Sequence, residues 1–383
     1  MPIEILAIND QDKSKLKDFL DVPYDIYAGQ AAWHPPLRFE RAHQISKSKN
    51  PNASDLDRQL FLAKSDGNIV GRIAAFLNPQ HRARYQDDAG HFGYFDCIAD
   101  PEVGAALLLA AENWLIAKGA RKMIGPTSHS VNEESGLLID GFEHPNMLLM
   151  SYGRPDYPVM VEAAGFEKAV DLLAYRANLA GGYTPGPLIS RLNKIVERDE
   201  GISCRTLDIS KFSDEVAIAM SIFNDAWSDN WGFVPLTEAQ ISHTAKELKP
   251  IVFPEGYHLA LIDGKPAAFI WMLPNIHEAA RDLNGRLFPF GWAKFVARLK
   301  LKKIKTARIP LMGLVKEHQN TKRGLAALCR ICQDVLAAGA KEGFDSCELS
   351  WILEDNKGMR GICAQASAQL YKSYRMYEKV LPS

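Results

Sequence analysis

The residues Lys322, Arg323 and Gly324 stand at the start of a segment with helical periodicity, directly after a short apolar run at 308–315. The first turn of a helix exposes backbone N–H groups at the positive end of its dipole, and two cations beside it add to the attraction for an anion. A glycine lets a ligand approach the backbone closely. The order strand, basic loop and helix therefore predicts a cradle for a diphosphate. The helical periodicity ends at Gly339, which we expect to stop the helix.

A second stretch that could bind a ligand runs from Gly125 to Phe142, after a predicted strand at 121–124. It is too polar for a core and too rich in glycine for a helix interior, and its donors and acceptors are Thr127, Ser128, His129, Ser130, Asn132, Glu133, Glu134 and Asp140. Such a loop either lines a binding cleft or is a solvated excursion, and its composition leaves both open. His129 has no partner at metal-ligand spacing, so we expect no metal site.

The size and charge of the chain limit the remaining possibilities. With 383 residues we expect about two domains, and a net charge of −1 gives no general attraction for nucleic acid. The start lacks a secretory signal, and the longest apolar run, Val103 to Ala117, is too short to cross a bilayer. Cys329 and Cys332 fall on a helical apolar stripe, which favours core packing over zinc binding. These features predict a cytoplasmic protein.

The chain also repeats itself. Residues 100–119 align with 320–339 without a gap, so that Gly104 corresponds to Gly324. Apolar runs joined at Asp66-Gly67 and at Asp263-Gly264 predict a β-hairpin upstream of each. The repeat predicts two similar domains, at 1–180 and 188–383, joined by a Gly/Pro-rich linker at 181–187.

The strand, basic loop and helix at 308–339 resemble the pyrophosphate-binding signature of the GNAT acyltransferase superfamily, Gln/Arg-x-x-Gly-x-Gly/Ala after a splayed strand. Gly324-Leu325-Ala326 match its second half, Thr321 stands where Gln or Arg is usual, and Gln319 lies two residues early. Pro310 suits a strand that leaves its neighbour. The resemblance implies an α+β fold of two tandem GNAT-like domains, each with a mixed, mostly antiparallel sheet whose central strands splay.

The same resemblance implies an acyl-CoA cofactor, acetyl-CoA or another acyl-CoA, in the second domain. The residues expected to contact it are Leu314, Val315, Gln319, Asn320, Thr321, Lys322, Arg323, Gly324, Leu325, Ala326 and Asn356. In the first copy Glu102-Val103 replace Lys322-Arg323, and Asp100 before Pro101 is a self-capping helix start. We therefore expect the first domain to be cofactor-free and to help form the acceptor site.

The implied reaction is direct transfer of an acyl group from a thioester to an amine, most simply a small-molecule amine. It needs a group that accepts the amine proton, for which Glu317 and Glu354 are candidates. The family's tyrosine acid is missing from its usual place, and Tyr371 is the substitute. From the polar loop we expect Ser128, Asn132, Glu133 and Glu134 to contact the acceptor. Cys363 has no histidine nearby in the sequence to activate it for a covalent route.

Residues 288–308 carry seven cations and no acid beside several aromatic residues. The simplest interpretation is a helix with one wet basic face, although docking on an anionic membrane or an acyl carrier protein also fits. A noncatalytic GNAT-fold protein that binds acyl-CoA, or one that docks on a carrier or membrane, is the alternative to the enzyme.

Overall fold

A computed structural model describes residues 2–382, which form two compact units. Of the described residues, unit 1 comprises 2–172, 280–287 and 372–382, and unit 2 comprises 173–279 and 288–371. These limits differ from the predicted domains because each repeat ends in a strand that contributes residues to both units. In the part of the chain that the structure describes, no helix is long and apolar enough to span a membrane.

The first half of the chain contains the following elements: β1 (Ile3–Ile8), α1 (Lys13–Ile26), α2 (Arg38–Ile45), α3 (Pro51–Ser54), β2 (Asp57–Ser65), β3 (Asn68–Leu77), α4 (Pro79–Tyr85), β4 (Ala89–Cys97), α5 (Pro101–Ala117), β5 (Lys122–Gly125), β6 (Leu137–Asp140), α6 (Tyr157–Ala163) and β7 (Glu167–Asn178). The second half contains α7 (Pro187–Val196), β8 (Ile202–Thr206), α8 (Phe212–Ala226), α9 (Glu238–Leu248), β9 (Tyr257–Ile262), β10 (Lys265–Pro274), α10 (Ile276–Ala280), α11 (Gly291–Lys300), β11 (Thr306–Leu314), α12 (Lys316–Gln319), α13 (Lys322–Glu342), β12 (Ser346–Leu353), α14 (Lys357–Gln365) and β13 (Ala368–Val380).

Each unit is built on a mixed sheet. In unit 1 the strand order is β1-β2-β3-β4-β5-β13, with β6 also paired to β13; in unit 2 it is β8-β9-β10-β11-β12-β7. The pairs β4·β5 and β11·β12 are parallel, and the other pairs whose direction the structure records are antiparallel. The predicted α+β class is confirmed.

Local features of the two repeats agree with the sequence. Both predicted hairpins turn through consecutive left-handed residues, with φ of 51° and 79° at Asp66-Gly67 and 52° and 77° at Asp263-Gly264. Asp100 caps α5 by accepting from the Glu102 N–H at 2.9 Å, as predicted.

The prediction for the end of α13 is wrong. Gly339 lies inside the helix, where an added Cβ would stand 2.7 Å from the Met272 sulfur, so its small size serves helix-to-sheet packing. The helix continues for three more residues and ends before Gly343, whose φ of 100° suits only a residue without a side chain. Cys329 and Cys332 of this helix lie in the apolar core of unit 2.

Candidate functional site

In unit 2 the two parallel strands separate as they leave the core. β11 and β12 pair from Thr306–Ile309 to Ser346–Leu349, and the pairing stops there although both strands continue. The register against β10 also shifts at this point. Pro310 is the next residue of β11, and its ring nitrogen has no hydrogen to donate to a neighbouring strand. The predicted splay is therefore present in unit 2.

The start of α13 closes on its own loop. The Thr321 hydroxyl accepts from the Gly324 N–H at 3.0 Å, and a Cβ on Gly324 would stand 2.1 Å from the carbonyl oxygen of His318. The protein's own backbone thus already requires a glycine at 324. The N–H groups of Lys322 and Arg323 occupy the first turn, where a helix supplies no carbonyl partners.

The cations of this cradle are not equivalent. The Arg323 guanidinium binds Asp199 at 2.7 Å and Asp263 at 2.8 Å, so two carboxylates already surround it. Lys322 is exposed and carries the positive charge nearest to the helix start. An open depression of about 850 Å³ includes Asp199, and its lining has three cations and two carboxylates: Arg191, Lys194, Ile195, Arg198, Asp199, Glu200 and Gly201. Arg191 and Lys194 of α7 and the following Arg198 were not predicted from the sequence.

Several other residues predicted to contact the cofactor have partners within the protein. The Val315 N–H donates to the Ala267 carbonyl at 2.9 Å, and the Gln319 amide donates to the Leu314 carbonyl at 3.0 Å. Asn356 caps α14. Of the rest, Leu325 and Ala326 pack on the core and Asn320 is exposed after α12. Their contacts with a cofactor stay a prediction.

The candidate acid and bases of unit 2 occupy different settings. Glu317 is exposed on α12, and Glu354 is half-buried after β12. The Tyr371 hydroxyl donates to the Glu348 carboxylate. That carboxylate is 1% exposed and belongs to a buried cluster at the point of splay, in which Arg308 Nε donates to the Ser350 hydroxyl at 2.8 Å. In the sequence, Arg308 and Glu348 each stand as a charged residue within an otherwise apolar strand. That pattern is the feature that could have pointed to this cluster.

One face of the unit 2 splay is filled by indole rings. Trp227, which follows α8, donates from Nε1 to the Met312 carbonyl at 2.9 Å. Its ring packs edge-on against Trp351, with centroids 5.1 Å apart. The two indole rings thus occupy space between the diverging strands, and Trp227 uses the Met312 carbonyl, which would otherwise be open to a ligand.

Unit 1 has the same splay with a cavity in it. β4 and β5 pair from Ala89–His91 to Lys122–Ile124, and β4 then runs on to Cys97 paired with β3 but not with β5. The cavity has a volume of about 100 Å³, and its lining consists of Pro23, Tyr27, Trp33, Pro36, Arg41, Arg72, Tyr94, Phe95, Asp96, Pro126, Thr127, Ser128, Glu134, Gly136, Leu137, Asn146, Met150, Ser151 and Tyr152. Ser128 and Glu134 from the predicted acceptor set are among them, whereas Glu133 belongs to an adjoining cluster and Asn132 uses its N–H on Ser130 at 3.2 Å.

A chain of three polar side chains leads from this cavity into the protein. The Tyr94 hydroxyl lies 3.2 Å from His129 Nε2, and His129 Nδ1 lies 2.7 Å from a Glu133 carboxylate oxygen. Asn50 and Asn52 donate to the other oxygen of Glu133 at 3.3 and 2.7 Å. A carboxylate can only accept, so the proton of the neutral ring stays on Nδ1, and Nε2 accepts from the tyrosine.

Burial and charge set the proton affinities of this relay. Burial would raise the pKa of Glu133, but the His129 ring and the two asparagine amides outweigh it and hold the pKa below its usual value. Burial, with Glu133 and Glu134 nearby, raises the pKa of Tyr94. The carboxylate therefore stays ionised and the phenol stays protonated at neutral pH.

The backbone directs Tyr94 to this position. Tyr94 and Phe95 together face a single residue of β3, so β4 has a bulge there, and Tyr94 has a φ of 50°. The loop after β5 is held by the Thr127 hydroxyl, 2.9 Å from that of Ser135, and by Asn78, which donates to the His129 carbonyl at 3.1 Å. The polar loop is thus a buried part of the site and not a solvated excursion.

Two ion pairs complete the cavity wall. Arg72 donates to Asp96 at 2.8 Å, and the Tyr27 hydroxyl donates to the same carboxylate at 2.5 Å. Arg41 binds Glu134 at 2.5 Å. The two arginines balance the charges of the two carboxylates. The polar groups of the cavity wall are therefore carboxylate oxygens and guanidinium groups, and they stand among aromatic rings. This chemistry suits a small polar head that bears an amine or hydroxyl.

The other face of the unit 1 splay is closed. The Tyr157 hydroxyl of α6 bonds both to the N–H and to the carbonyl of Cys97, each at 2.8 Å. A Cβ on Gly104 would stand 2.8 Å from the Met160 sulfur. These contacts, with Glu102 at the helix start, agree with the expectation that the first copy holds no cofactor, which stays a prediction.

The cysteines do not supply an activated nucleophile. Burial raises the pKa of Cys363 to about 12, and it raises the pKa of Cys97 further. Both are therefore thiols at neutral pH and not the thiolates that nucleophilic catalysis requires. Among residues 2–382, no three His, Cys, Asp or Glu side chains are grouped as metal ligands.

Comparison with known proteins identifies close relatives by sequence. Protein YghO of Escherichia coli is 43% identical over 371 residues, covering 96% of this chain and 93% of the relative. The bacterial ceramide synthase of Caulobacter vibrioides is 40% identical over 371 residues, covering 96% and 95%. No protein-family model matches the chain.

Solved structures support the fold. A tandem GNAT protein from the clavulanic acid biosynthesis pathway aligns with a TM-score of 0.56 over 100% of this chain and 99% of its own, at 12% identity. A GCN5-related N-acetyltransferase from Sphaerobacter thermophilus aligns with a TM-score of 0.53 over 100% and 96%, at 13% identity. At these identities the likeness shows the fold alone.

Proposed function

This chain belongs to the acyltransferase family of the Caulobacter ceramide synthase, has the tandem GNAT fold, and, we propose, forms an amide between a fatty acyl group and the amine of a long-chain amino alcohol. The proposal takes its substrate class from the name of that relative, since a ceramide is such an amide. A cavity of about 100 Å³ holds roughly three water-sized groups, which is enough for the amine and adjoining hydroxyl of the acceptor.

The observation that carries the proposal is the relay from Tyr94 through His129 to Glu133. An alkyl amine is protonated at neutral pH, and it must lose a proton before its lone pair can attack a thioester. The Tyr94 oxygen accepts that proton while its own passes to His129 Nε2, and Glu133 stabilises the imidazolium that forms.

The atoms of the reaction balance. The amine nitrogen bonds to the thioester carbonyl carbon, the carbon–sulfur bond breaks, and the thiolate takes up a proton. Starting from the ammonium form, one amide, one thiol and one released proton result. In this scheme Tyr94 contacts the acceptor amine, whereas His129 and Glu133 act on the amine through Tyr94.

For the donor we propose an acyl-CoA whose diphosphate binds at the first turn of α13. The N–H groups of Lys322 and Arg323 and the exposed Lys322 ammonium support this, as do the α7 cations Arg191 and Lys194 in the depression that includes Asp199. The length of the acyl chain that the protein prefers is determined by the assay below, in which acetyl-, octanoyl- and palmitoyl-CoA are compared.

Turnover tests the reaction directly. Purified protein is incubated with each acyl-CoA and a long-chain 2-amino alcohol, thiol release is followed by a chromogenic disulfide, and the amide is identified by mass spectrometry. We expect a long-chain amide, with kcat reduced about 10²- to 10⁴-fold in His129→Ala. His43→Ala on the exposed part of α2 is the matched control and should match the wild type. Absence of amide with all three donors, from protein with wild-type stability, would reject the proposed reaction.

Donor binding has a separate test at equivalent positions of the two repeats. Lys322→Glu should weaken acyl-CoA binding by calorimetry about tenfold, through loss of one cation and gain of one anion near the diphosphate. Glu102→Lys, at the corresponding residue of the first copy, should leave the affinity unchanged. If Lys322→Glu binds like the wild type, the donor does not use α13.

A further inference from the structure

The helix α11 has apolar side chains along one side, and only part of that side is buried. Phe295 and Leu299, four residues apart, pack on the core of unit 2. Trp292 and Val296, also four apart, lie beside them on the helix and are 51% and 37% exposed. Part of this apolar side therefore anchors the helix, and its edge is left on the surface.

Further exposed apolar side chains stand before the helix and at its end. Phe288 and Phe290 are 83% and 81% exposed, and Leu301 is 63% exposed. Single exposed apolar residues are common, but five large ones within fourteen residues are a concentration that is typical of an interaction site. We call Phe288, Phe290, Trp292, Val296 and Leu301 the apolar face.

Cations border the apolar face. Lys294 and Lys300 lie on the exposed part of α11, and Lys303 follows it. Lys302 and Lys305 already have acidic neighbours, Glu342 at 2.9 Å and Asp345 at 4.0 Å. Within residues 2–382 neither Lys300 nor Lys303 forms an ion pair. The border is thus positively charged and contains no acidic residue from 288 to 308.

The surface is held in place and is not a loose loop. Arg298 donates to the Ala279 carbonyl at 2.8 Å. The Glu278 carboxylate accepts from the N–H groups of Lys305 and Thr306, each at 3.0 Å, where the segment enters β11. A partner therefore meets a preformed arrangement and pays little ordering entropy.

We propose that the apolar face docks on an anionic lipid bilayer, with the aromatic rings at the headgroup level and the lysines on the lipid phosphates. Protruding rings, with Lys300 and Lys303 outside any ion pair of the described residues, are features of helices that lie in a membrane interface. An acidic protein would satisfy the lysines but would leave two phenylalanines that are more than four-fifths exposed without an apolar partner. At about 15 Å, ten helical residues cannot span a bilayer, so the helix lies on the surface.

The test of docking does not depend on the proposed reaction, because vesicle binding is measured without acyl donor or acceptor. The full chain is sedimented with vesicles of phosphatidylcholine alone or with one third phosphatidylglycerol. We expect binding to the anionic vesicles that weakens several-fold between 0.1 and 0.5 M NaCl. Phe288→Ser/Phe290→Ser/Trp292→Ser should lower the partition coefficient at least tenfold, and Lys300→Glu/Lys303→Glu should lower it about as much.

Matched variants elsewhere control for general changes in polarity and charge. Phe39→Ser on α2, at 51% exposure, and Lys246→Glu/Lys265→Glu, at exposed sites of unit 2, should bind like the wild type. Quenching of tryptophan fluorescence by brominated lipid should be reduced in Trp292→Phe.

Absence of binding to anionic vesicles overturns the proposal. So does binding that survives the triple serine variant and is lost only with the lysines, because the surface would then act through charge alone, as expected for an acidic carrier protein.

Discussion

Replacing Glu133 by Gln changes one oxygen of the relay to an NH₂ group and is the sharpest test of the proposed chemistry. The carboxylate accepts from three donors, with His129 on one oxygen and Asn50 and Asn52 on the other. The glutamine amide has one oxygen, so one side must lose its acceptor. If the NH₂ group faces the ring, Nδ1 must become the acceptor, and the ring proton moves to Nε2. The Tyr94 hydroxyl then has no acceptor in the ring.

The size of the effect follows from these contacts. A hydrogen bond to a charged group contributes about 1.5–3 kcal/mol, so we expect a loss of about 2 kcal/mol of stability. Loss of proton acceptance should lower kcat about 10²- to 10⁴-fold, or about 2.7–5.4 kcal/mol of activation free energy. KM for the acyl donor should be unchanged, because the substitution removes no donor contact.

Thiol release at saturating substrate gives kcat, urea unfolding gives the stability, and ¹⁵N NMR of labelled histidine gives the tautomer. Glu247→Gln is the matched control, because Glu247 pairs with His243 at the same spacing, 3.3 Å apart, on an exposed helix. It should change stability by less than about 0.5 kcal/mol and leave kcat unaltered. A folded Glu133→Gln protein with the ring proton on Nε2 and wild-type kcat would refute the relay.

Three further predictions concern packing and protonation. Gly324→Ala should destabilise the protein by about 1–3 kcal/mol, because its Cβ would press on a backbone carbonyl, whereas Gly361→Ala in the exposed part of α14 should be neutral or stabilising; equal urea midpoints would contradict this. Burial, helped by Arg281 and Lys372, lowers the pKa of His34 to about 4, so the unfolded chain binds more protons between pH 6.5 and 4 and stability falls as the pH drops through that range. Because His34 is partly exposed, we expect its titration to account for about 1–2 kcal/mol of the stability lost between pH 7 and 4. In urea titrations the free energy of unfolding of His34→Gln should therefore fall by about 1–2 kcal/mol less than that of the wild type over this range. Tyr371→Phe removes a donor from the buried Glu348 carboxylate and should cost about 1–2 kcal/mol of stability with a smaller effect on kcat than Glu133→Gln; a kcat loss as large as that of Glu133→Gln would make Tyr371 the acid instead.

Most of the fold was predictable because it rests on local signals that occur twice. The Asp-Gly turns require left-handed residues, and the period of α5 and α13 matches a helix that covers a sheet. The units could not be delimited from these signals. Which sheet the final strand of each repeat joins depends on pairing far along the chain, and the residues of β7 and β13 have no periodicity that records it.

The candidate site was predictable in part. His129 and Glu133 stand four residues apart in a conspicuously polar loop, and the acceptor role of that loop was inferred from its composition. Tyr94 was not found, because its position depends on a bulge that shifts the register of β4 against β3. Arg72 and Asp96 were missed for a related reason, since each looks like an isolated charge in an apolar strand until the register places them opposite each other.

The two repeats solve the same geometric problem in different ways. Parallel strands that diverge leave backbone groups and space without partners, and these must be filled by side chains or by a ligand. Unit 2 fills one face with Trp227 and Trp351, whereas unit 1 keeps a cavity with ionised walls and a relay beside it. A buried ionised group is costly unless each charge is paired, and here Arg41, Arg72 and His129 provide the partners. A purely structural repeat would have little reason to retain such a set, because apolar residues of similar volume fill a splay as well. The polar cavity of unit 1 is therefore the strongest structural argument that this copy takes part in the chemistry and does not serve only as a scaffold.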